Sequence, residues 1–133
     1  MQLEQALDRW HSVASNGSKP DELSAILHDD AIFHSPVVHT PQVGKPIVMA
    51  YLTAAGQTLG NASFSYLREI ASGNTAVLEF QTEMDGIHVN GIDMITFDED
   101  GMITDFKVMI RPLKAVNKVW EMMAAQLEAM QGT

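Results

Sequence analysis

One carboxylic acid of this sequence stands inside an apolar stretch, where an ionisable side chain is costly to bury. Asp93 lies between Ile92 and Met94, and strand alternation places Asp93, Ile95 and Phe97 on one face. A carboxyl group surrounded by aliphatic side chains has its ionised form destabilised, so its pKa rises. Such a group can donate a hydrogen bond or exchange a proton near neutral pH. We therefore single out Asp93 as the candidate catalytic residue; the structural alternative is an internal partner or exposure to solvent.

The histidines do not form a recognisable metal motif. His28, His34 and His39 are separated by six and five residues, and His88 is isolated. Helical metal sites place two ligands four residues apart, and strand sites use alternate residues. Phosphate-binding and dinucleotide-binding glycine patterns are absent as well. We expect no metal site and no cofactor.

Four segments of the sequence show the periodicity of helices, and these helices would help to position Asp93 and the histidines. We predict helices from Leu3, from about Pro20, from Pro46 to about Thr58, and from Pro112 onward. The second helix is expected to bury an apolar face, which consists of Leu23, Ile26 and Leu27. The apolar stripe expected on the last helix consists of Leu113, Val116, Trp120, Met123, Leu127 and Met130.

The second half of the chain changes to the two-residue period of strands. We predict strands at 64–71, 76–84, 87–97 and 102–110, and a short strand at 31–35 before Pro36. Turn signals such as Asp85-Gly86 separate the four strands and predict an antiparallel meander. Gly91, inside the third strand, predicts a bulge or a bend. The predicted fold class is α+β, with helices on one face of an antiparallel sheet.

Composition excludes several classes of function. The chain has 133 residues, which suits one domain, 1–133, with a sizeable core. Its net charge of −9 argues against nucleic acid and against an anionic membrane surface. The absence of cysteine excludes disulfides and thiolate chemistry. No apolar run is long enough to span a membrane, and the acidic N-terminal segment does not resemble a secretory signal, so we expect a cytoplasmic protein.

Three stretches of the sequence, in this order and spacing, resemble a known superfamily. They are 27–36 (LHDDAIFHSP), 43–47 (VGKPI), and 91–97 with 100–103 (GIDMITF and DGMI). Together they resemble the nuclear transport factor 2-like superfamily, in its SnoaL-like and ketosteroid isomerase-like branch. The resemblance implies a cone-shaped fold, in which a curved antiparallel sheet wraps the N-terminal helices and encloses an apolar pocket. It also implies a homodimer formed through the outer face of the sheet.

The resemblance also assigns positions within that pocket. Asp93 matches the carboxylic acid of the ketosteroid isomerase oxyanion hole, whereas Ser35 stands where those enzymes carry the aspartate base. A serine without an adjacent base does not shuttle protons, so steroid isomerisation by that mechanism is not expected. Trp10 and His11 lie near the expected tyrosine of the first helix. The residues expected to line the pocket are Trp10, Phe33, Ser35, Tyr51, Tyr66, Ile95, Phe97, Phe106 and Val108.

Two functions are favoured by the sequence, ahead of hydrolysis of an epoxide or ester, for which the Arg-x-Asp strand motif is missing. The first is a pocket protein for a small apolar organic ligand, with Asp93 transferring a proton next to a carbonyl group or donating a hydrogen bond. The second is a non-catalytic dimer that carries a ligand or binds another protein, and the absence of the isomerase base favours it. Fold alone does not decide between them, because related folds host unrelated functions.

Overall fold

A curved open sheet of six strands carries the helices in this computed structural model, which describes residues 1–131 and side chains as far as residue 129. The helices are α1 (Leu3–Ser15), α2 (Pro20–Ser24), α3 (Lys45–Leu59) and α4 (Leu113–Gln131). The strands are β1 (Leu27–His34), β2 (Gln42–Val43), β3 (Ser65–Ser72), β4 (Thr75–Met84), β5 (Ile87–Phe97) and β6 (Ile103–Arg111). The α+β class is confirmed.

The meander is confirmed, and the sheet extends beyond it. The strand order is β2-β1-β6-β5-β4-β3, and the neighbours from β6 to β3 are antiparallel. Strand β1 adds to the edge of β6 in parallel, and β2 pairs with β1 in antiparallel fashion. The sheet is therefore mixed rather than wholly antiparallel, because the chain crosses from the first strand to the meander through α3 and returns beside β6.

Alternation along the central strands separates an inner from an outer face. Every second residue of β4 and β5 is buried, including Leu78, Phe80, Asp93 and Ile95. The inner face packs against α1 and α3, whose buried side chains belong to the same apolar core. Helix α4 packs against α3 and against β5 and β6. The candidate residue Asp93 thus lies on the inner face, as its position in the sequence predicted.

One detail of the predicted elements is wrong. Helix α2 ends at Ser24, and Leu27 begins β1, because the apolar residues after the short helix enter the sheet instead of continuing it. At Gly91, where the sequence predicts a bulge or a bend, the pairing is continuous with both β4 and β6, so there is no bulge. The glycine allows a close approach instead, since a Cβ there would lie 2.6 Å from the Met109 carbonyl oxygen and 2.6 Å from the Phe80 ring.

The buried face of α4 also differs from the predicted stripe. Ala115, Val119 and Met123 are buried, whereas Leu113 is 74% exposed and Trp120 is 59% exposed. The docked face is rotated from the predicted one, because contacts with α3 and the sheet decide which apolar side chains are covered. The side chain of Met130 lies outside the described residues. Within the part of the chain that the structure describes, no helix is long and apolar enough to cross a membrane.

Candidate functional site

A line of hydrogen bonds crosses the inner face of the sheet and ends at Asp93. The indole Nε1–H of Trp10, on α1, donates to the hydroxyl oxygen of Tyr66 on β3 at 3.1 Å. The Tyr66 hydroxyl donates in turn to Oδ2 of Asp93 on β5 at 2.8 Å. The Oδ1 atom of Asp93 has no hydrogen-bond partner among the described residues. One carboxyl oxygen is therefore held by Tyr66, and the other remains free for a ligand.

A β-bulge brings Tyr66 to this position. Tyr66 pairs with Phe80 and Arg68 pairs with Glu79, so Leu67 is an extra residue on β3. Without the extra residue, alternation would place Tyr66 and Arg68 on the same face of the sheet. The bulge turns Tyr66 inward toward Asp93 and Arg68 outward toward Glu79.

Burial raises the pKa of both the Asp93 carboxyl and the Tyr66 hydroxyl. Removal from water raises the pKa of Asp93 to about 7, although the hydrogen bond from Tyr66 opposes the rise. Burial is also the main cause that raises the pKa of Tyr66, and the neighbouring Asp93 charge adds to it. No cation faces Asp93 among the contacts that shift its pKa. Near neutral pH, Asp93 is present in both protonation states, while Tyr66 keeps its proton.

An apolar cavity of about 70 Å³ adjoins Asp93 and Tyr66. Its polar side chains belong to Trp10, Ser18, Tyr66 and Asp93. The remaining lining residues are apolar or glycine: Ala14, Leu52, Ala55, Gly56, Leu59, Gly60, Phe64, Phe80, Phe106 and Val108. A largely apolar wall with few polar groups is typical of sites for small organic molecules.

A larger depression of about 500 Å³ lies outside this cavity. The two spaces share the wall residues Ala14, Gly60, Phe64 and Tyr66. The Phe64 ring packs edge-on against Tyr66 at 5.0 Å and stacks with Phe80 at 5.3 Å between ring centres. Phe64 therefore stands between the inner cavity and the outer depression.

Comparisons with known proteins agree with this architecture. The profile of the SnoaL-like domain matches residues 7–106. The chain belongs to the SnoaL-like family. No curated protein matches its sequence significantly. Membership of this family supports a role in ligand binding or in isomerase- or cyclase-type chemistry, and it leaves the reaction unspecified.

The solved structures similar to this SnoaL-like protein include two that are more than 30% identical to it in sequence. A steroid delta-isomerase from Pseudomonas aeruginosa is 34% identical, with a TM-score of 0.91 over 98% of this chain and 95% of that one. An uncharacterised bacterial protein with a cystatin-like fold from Silicibacter pomeroyi is 31% identical, with a TM-score of 0.83 over 91% of this chain and 84% of that one.

A third structure shows the likeness of fold alone. It is SalBIII, an epoxide hydrolase/cyclase-like enzyme that has a role in pyran ring formation in the polyether salinomycin. It is 15% identical, with a TM-score of 0.67 over 82% of this chain and 90% of that one.

The structure brings together part of the predicted lining. Trp10, Tyr66, Phe106 and Val108 line the cavity beside Asp93. His11, the alternative to Trp10, lies outside the cavity and pairs with Glu69. Of the two alternatives Trp10 and His11, Trp10 is therefore the one that reaches the cavity.

Five predicted lining residues are not among the residues that line this cavity: Phe33, Ser35, Tyr51, Ile95 and Phe97. Phe33 is buried behind the cavity, between Tyr51 and Phe106, with ring centres 5.3 and 6.1 Å away. Ile95 is completely buried in the core, so it faces no open space. Phe97 borders a separate depression near the N-terminus.

The fifth of these residues, Ser35, lies in a surface depression that it shares with His34 and His39. Its hydroxyl oxygen accepts hydrogen bonds from the backbone N–H groups of Val37 and Val38, at 3.1 and 3.3 Å. The hydroxyl is thus used to form a turn at the end of β1.

His34 bonds Asp105 at 2.9 Å, away from the cavity. Across the described residues, no three or more histidine, aspartate or glutamate side chains are grouped closely enough to hold a metal ion.

Sequence reasoning missed several residues of the cavity. Phe80 shares the inward face of β4 with Leu78, so alternation alone could have placed it there. Ser18 and Gly56 carry no such signal, because they meet only through the packing of the turn after α1 against α3. Tyr66 was predicted as a lining residue, but nothing in the sequence pairs it with Asp93.

Proposed function

We propose that this SnoaL-like protein binds a small, largely apolar molecule that carries a carbonyl group, and that Asp93 transfers a proton at the carbon next to that carbonyl. The observation that supports this proposal is the buried Asp93 carboxyl, with a pKa of about 7 and one oxygen free toward an apolar cavity. A general acid–base group is most effective when its pKa lies near the working pH.

Asp93 is the residue that would carry the proton, because Tyr66 is the only other ionisable residue that lines the cavity within the described part of the chain. The Tyr66 proton is already donated to Asp93, and its pKa is raised. Ser35, at the position of the isomerase base, lies outside the cavity. One carboxyl group must therefore both remove and return the proton.

The reaction can be written for a ketone with a double bond one carbon removed from conjugation. The Asp93 carboxylate takes a proton from the carbon between the carbonyl and the alkene, and the C–H electrons move toward the carbonyl oxygen to give an enolate. The protonated Asp93 then returns the proton to the far alkene carbon. The product is the conjugated isomer of the substrate, with no atom gained or lost.

The size of the cavity restricts the ligand. About 70 Å³ is much less than the roughly 300–1,000 Å³ of usual ligand sites, so a ring-sized molecule requires a neighbouring side chain to move. Phe64 is the side chain whose displacement would join the cavity to the outer depression. Small monocyclic ketones are therefore the first substrates to test.

The experiment follows the ultraviolet absorbance of the conjugated product with cyclohex-3-enone, a bicyclic homologue and a steroid homologue. We expect turnover with the wild-type protein and a loss of about 100-fold or more in Asp93→Asn, the usual scale of an acid–base group. Glu79→Gln is the matched control, since it makes the same kind of change on the outer face and should keep full activity. Phe64→Ala should shift the preference toward larger rings.

A non-catalytic carrier is the alternative, and the small number of ionisable groups in the cavity favours it. Titration of the Asp93 carboxyl by NMR, with and without cyclohexanone, separates the two functions. A ligand-dependent change in the Asp93 pKa without turnover of any enone would establish binding alone. Full enone turnover by Asp93→Asn would remove Asp93 from the mechanism.

We also propose that two copies of the chain associate through the outer face of the sheet. Ile70 is 64% exposed and Met109 is 48% exposed, and Val77, Ile92 and Met94 are only partly buried on the same face. Apolar side chains grouped on one face are typical of protein interfaces.

A further inference from the structure

Ser18 is a buried serine whose hydroxyl has no hydrogen-bond partner among the described residues. It lines the same cavity as Asp93 and is 6% exposed. No described residue forms a hydrogen bond with its Oγ atom; its backbone N–H donates to the Val13 carbonyl at 3.0 Å. The Oγ atom is not itself sealed from solvent, unlike the unpartnered Thr58 Oγ1, and it borders the cavity, so it is available to a ligand or to water.

Two local departures from backbone preference occur where Ser18 enters the cavity. Ser18 has a φ of 52°, a left-handed conformation that is uncommon for residues other than glycine. Gly56, inside α3, faces it: a Cβ at Gly56 would lie 2.9 Å from Ser18 Oγ and 2.8 Å from its Cβ. Glycine within a helix is destabilising relative to alanine. A left-handed serine packed against a glycine inside a helix is locally unfavourable, and such features are concentrated at functional sites.

The N–H and O–H groups of Trp10 and Tyr66, the neutral polar side chains that also line the cavity, already donate hydrogen bonds within the protein. The Trp10 N–H is given to Tyr66, and the Tyr66 O–H is given to Asp93. Asp93 offers a proton only when it is protonated, and in that state it cannot act as a base. The Ser18 hydroxyl therefore carries the one donor proton, among the lining side chains, that is both uncommitted and independent of pH.

We infer that Ser18 donates a hydrogen bond to the carbonyl oxygen of the ligand, while Asp93 serves the neighbouring carbon. This inference rests on the function proposed above and extends it, because it names the group that receives the charge when an enolate forms. A donor at the developing oxyanion lowers the barrier to removing the proton. The ligand class narrows to molecules with an unhindered carbonyl oxygen.

The test records the infrared carbonyl stretch of bound cyclohexanone, labelled with carbon-13 at the carbonyl, at about pH 6 and about pH 9, on either side of the Asp93 pKa of about 7. In the wild-type protein we expect a shift to lower frequency at both pH values, because Ser18 donates in either state. Ser18→Ala and Ser18→Gly should both lose the shift and bind cyclohexanone roughly two- to tenfold more weakly.

The glycine variant guards against misfolding, since glycine adopts a φ of 52° without strain. Ser12→Ala is the matched control, because Ser12 lies on α1 beside the outer depression and should leave both readouts unchanged. A shift that persists in the Ser18 variants, or disappears at about pH 9 in the wild-type protein, would assign the donor to Asp93 and overturn this inference. Absence of cyclohexanone binding to the wild-type protein would instead overturn the proposed function itself.

Discussion

Each face of the sheet holds a hydrogen-bonded carboxyl group. The pKa of one is raised above that of an ordinary carboxylic acid, and the pKa of the other is lowered. Asp93 on the inner face is buried without a cation, and its pKa is raised to about 7. Glu79 on the outer face accepts hydrogen bonds from Asn90 at 3.1 Å and from Arg68 at 2.8 Å, and these contacts lower its pKa. Neighbouring strands thus carry a proton-exchanging group on one side and, on the other, a group that is charged at neutral pH.

The difference shows that burial and partner, rather than residue type, decide what a carboxyl group can do. A partly exposed carboxylate beside an arginine stays ionised and contributes little chemistry. A buried carboxyl group that contacts a tyrosine hydroxyl and apolar side chains is populated in both protonation states at neutral pH. Only the second kind can remove and return a proton under the same conditions.

The largest expected effect is on the pH dependence of stability. Since burial raises the pKa of Asp93 from 3.8 to about 7, the folded state holds a proton that the unfolded state has lost across this interval. The contribution is complete below about pH 4 and falls, on the order of 4 kcal/mol, as the pH rises through about 7. Urea unfolding at about pH 4 and about pH 8 measures it, and Asp93→Asn should lack this loss.

Glu79 is expected to make the opposite contribution to the pH dependence of the unfolding free energy, and Glu79→Gln tests this in the same experiment. Because the pKa of Glu79 is lowered in the folded state, its contribution is present above its ordinary pKa and declines as the pH falls. The variant should therefore differ from the wild type near neutral pH and converge with it in acid. If Asp93→Asn and the wild type lose stability equally with rising pH, Asp93 is not the buried acid described above.

A smaller effect is expected from the hydrogen bond that Tyr66 donates to Asp93. The bond favours the ionised carboxylate, so Tyr66→Phe should raise the pKa of Asp93 by roughly one to two units. On the other face, Asn90→Ala should move the pKa of Glu79 back up toward its ordinary value. Carboxyl titration by NMR measures both values, and an Asp93 pKa that falls in Tyr66→Phe would contradict the arrangement.

The smallest expected effect concerns the outer face as an interface. If two copies pair there, a lysine at Ile70 or at Met109 should weaken the dimer by about tenfold or more, since each would bury an unpaired charge. Sedimentation equilibrium of the wild type and the two variants measures this change. Leu113→Lys is the control, because Leu113 is exposed on α4 rather than on the sheet. A wild-type protein that sediments as a monomer would refute the dimer.

Much of the fold was predictable because its signals are local. The meander follows from alternation interrupted by turn residues, such as Asp85-Gly86, and the same alternation places Asp93 inward. The sequence likewise predicted Trp10 and Tyr66 as pocket-lining residues, and both line the cavity. The failures arose where a pattern allowed more than one packing: the end of α2, the buried face of α4 and the position of Ser35.

By itself, the sequence determined that an aspartate would occupy an inward position of an apolar strand, in an α+β chain of the SnoaL-like family. Only the tertiary structure decided what surrounds that aspartate. The bulge at Leu67 turns Tyr66 toward it, and the approach of α3 at Gly56 leaves room for Ser18. The physical reason is range: periodicity is set by each residue and its neighbours along the chain, whereas burial, pKa and hydrogen-bond partners depend on residues that only folding brings together.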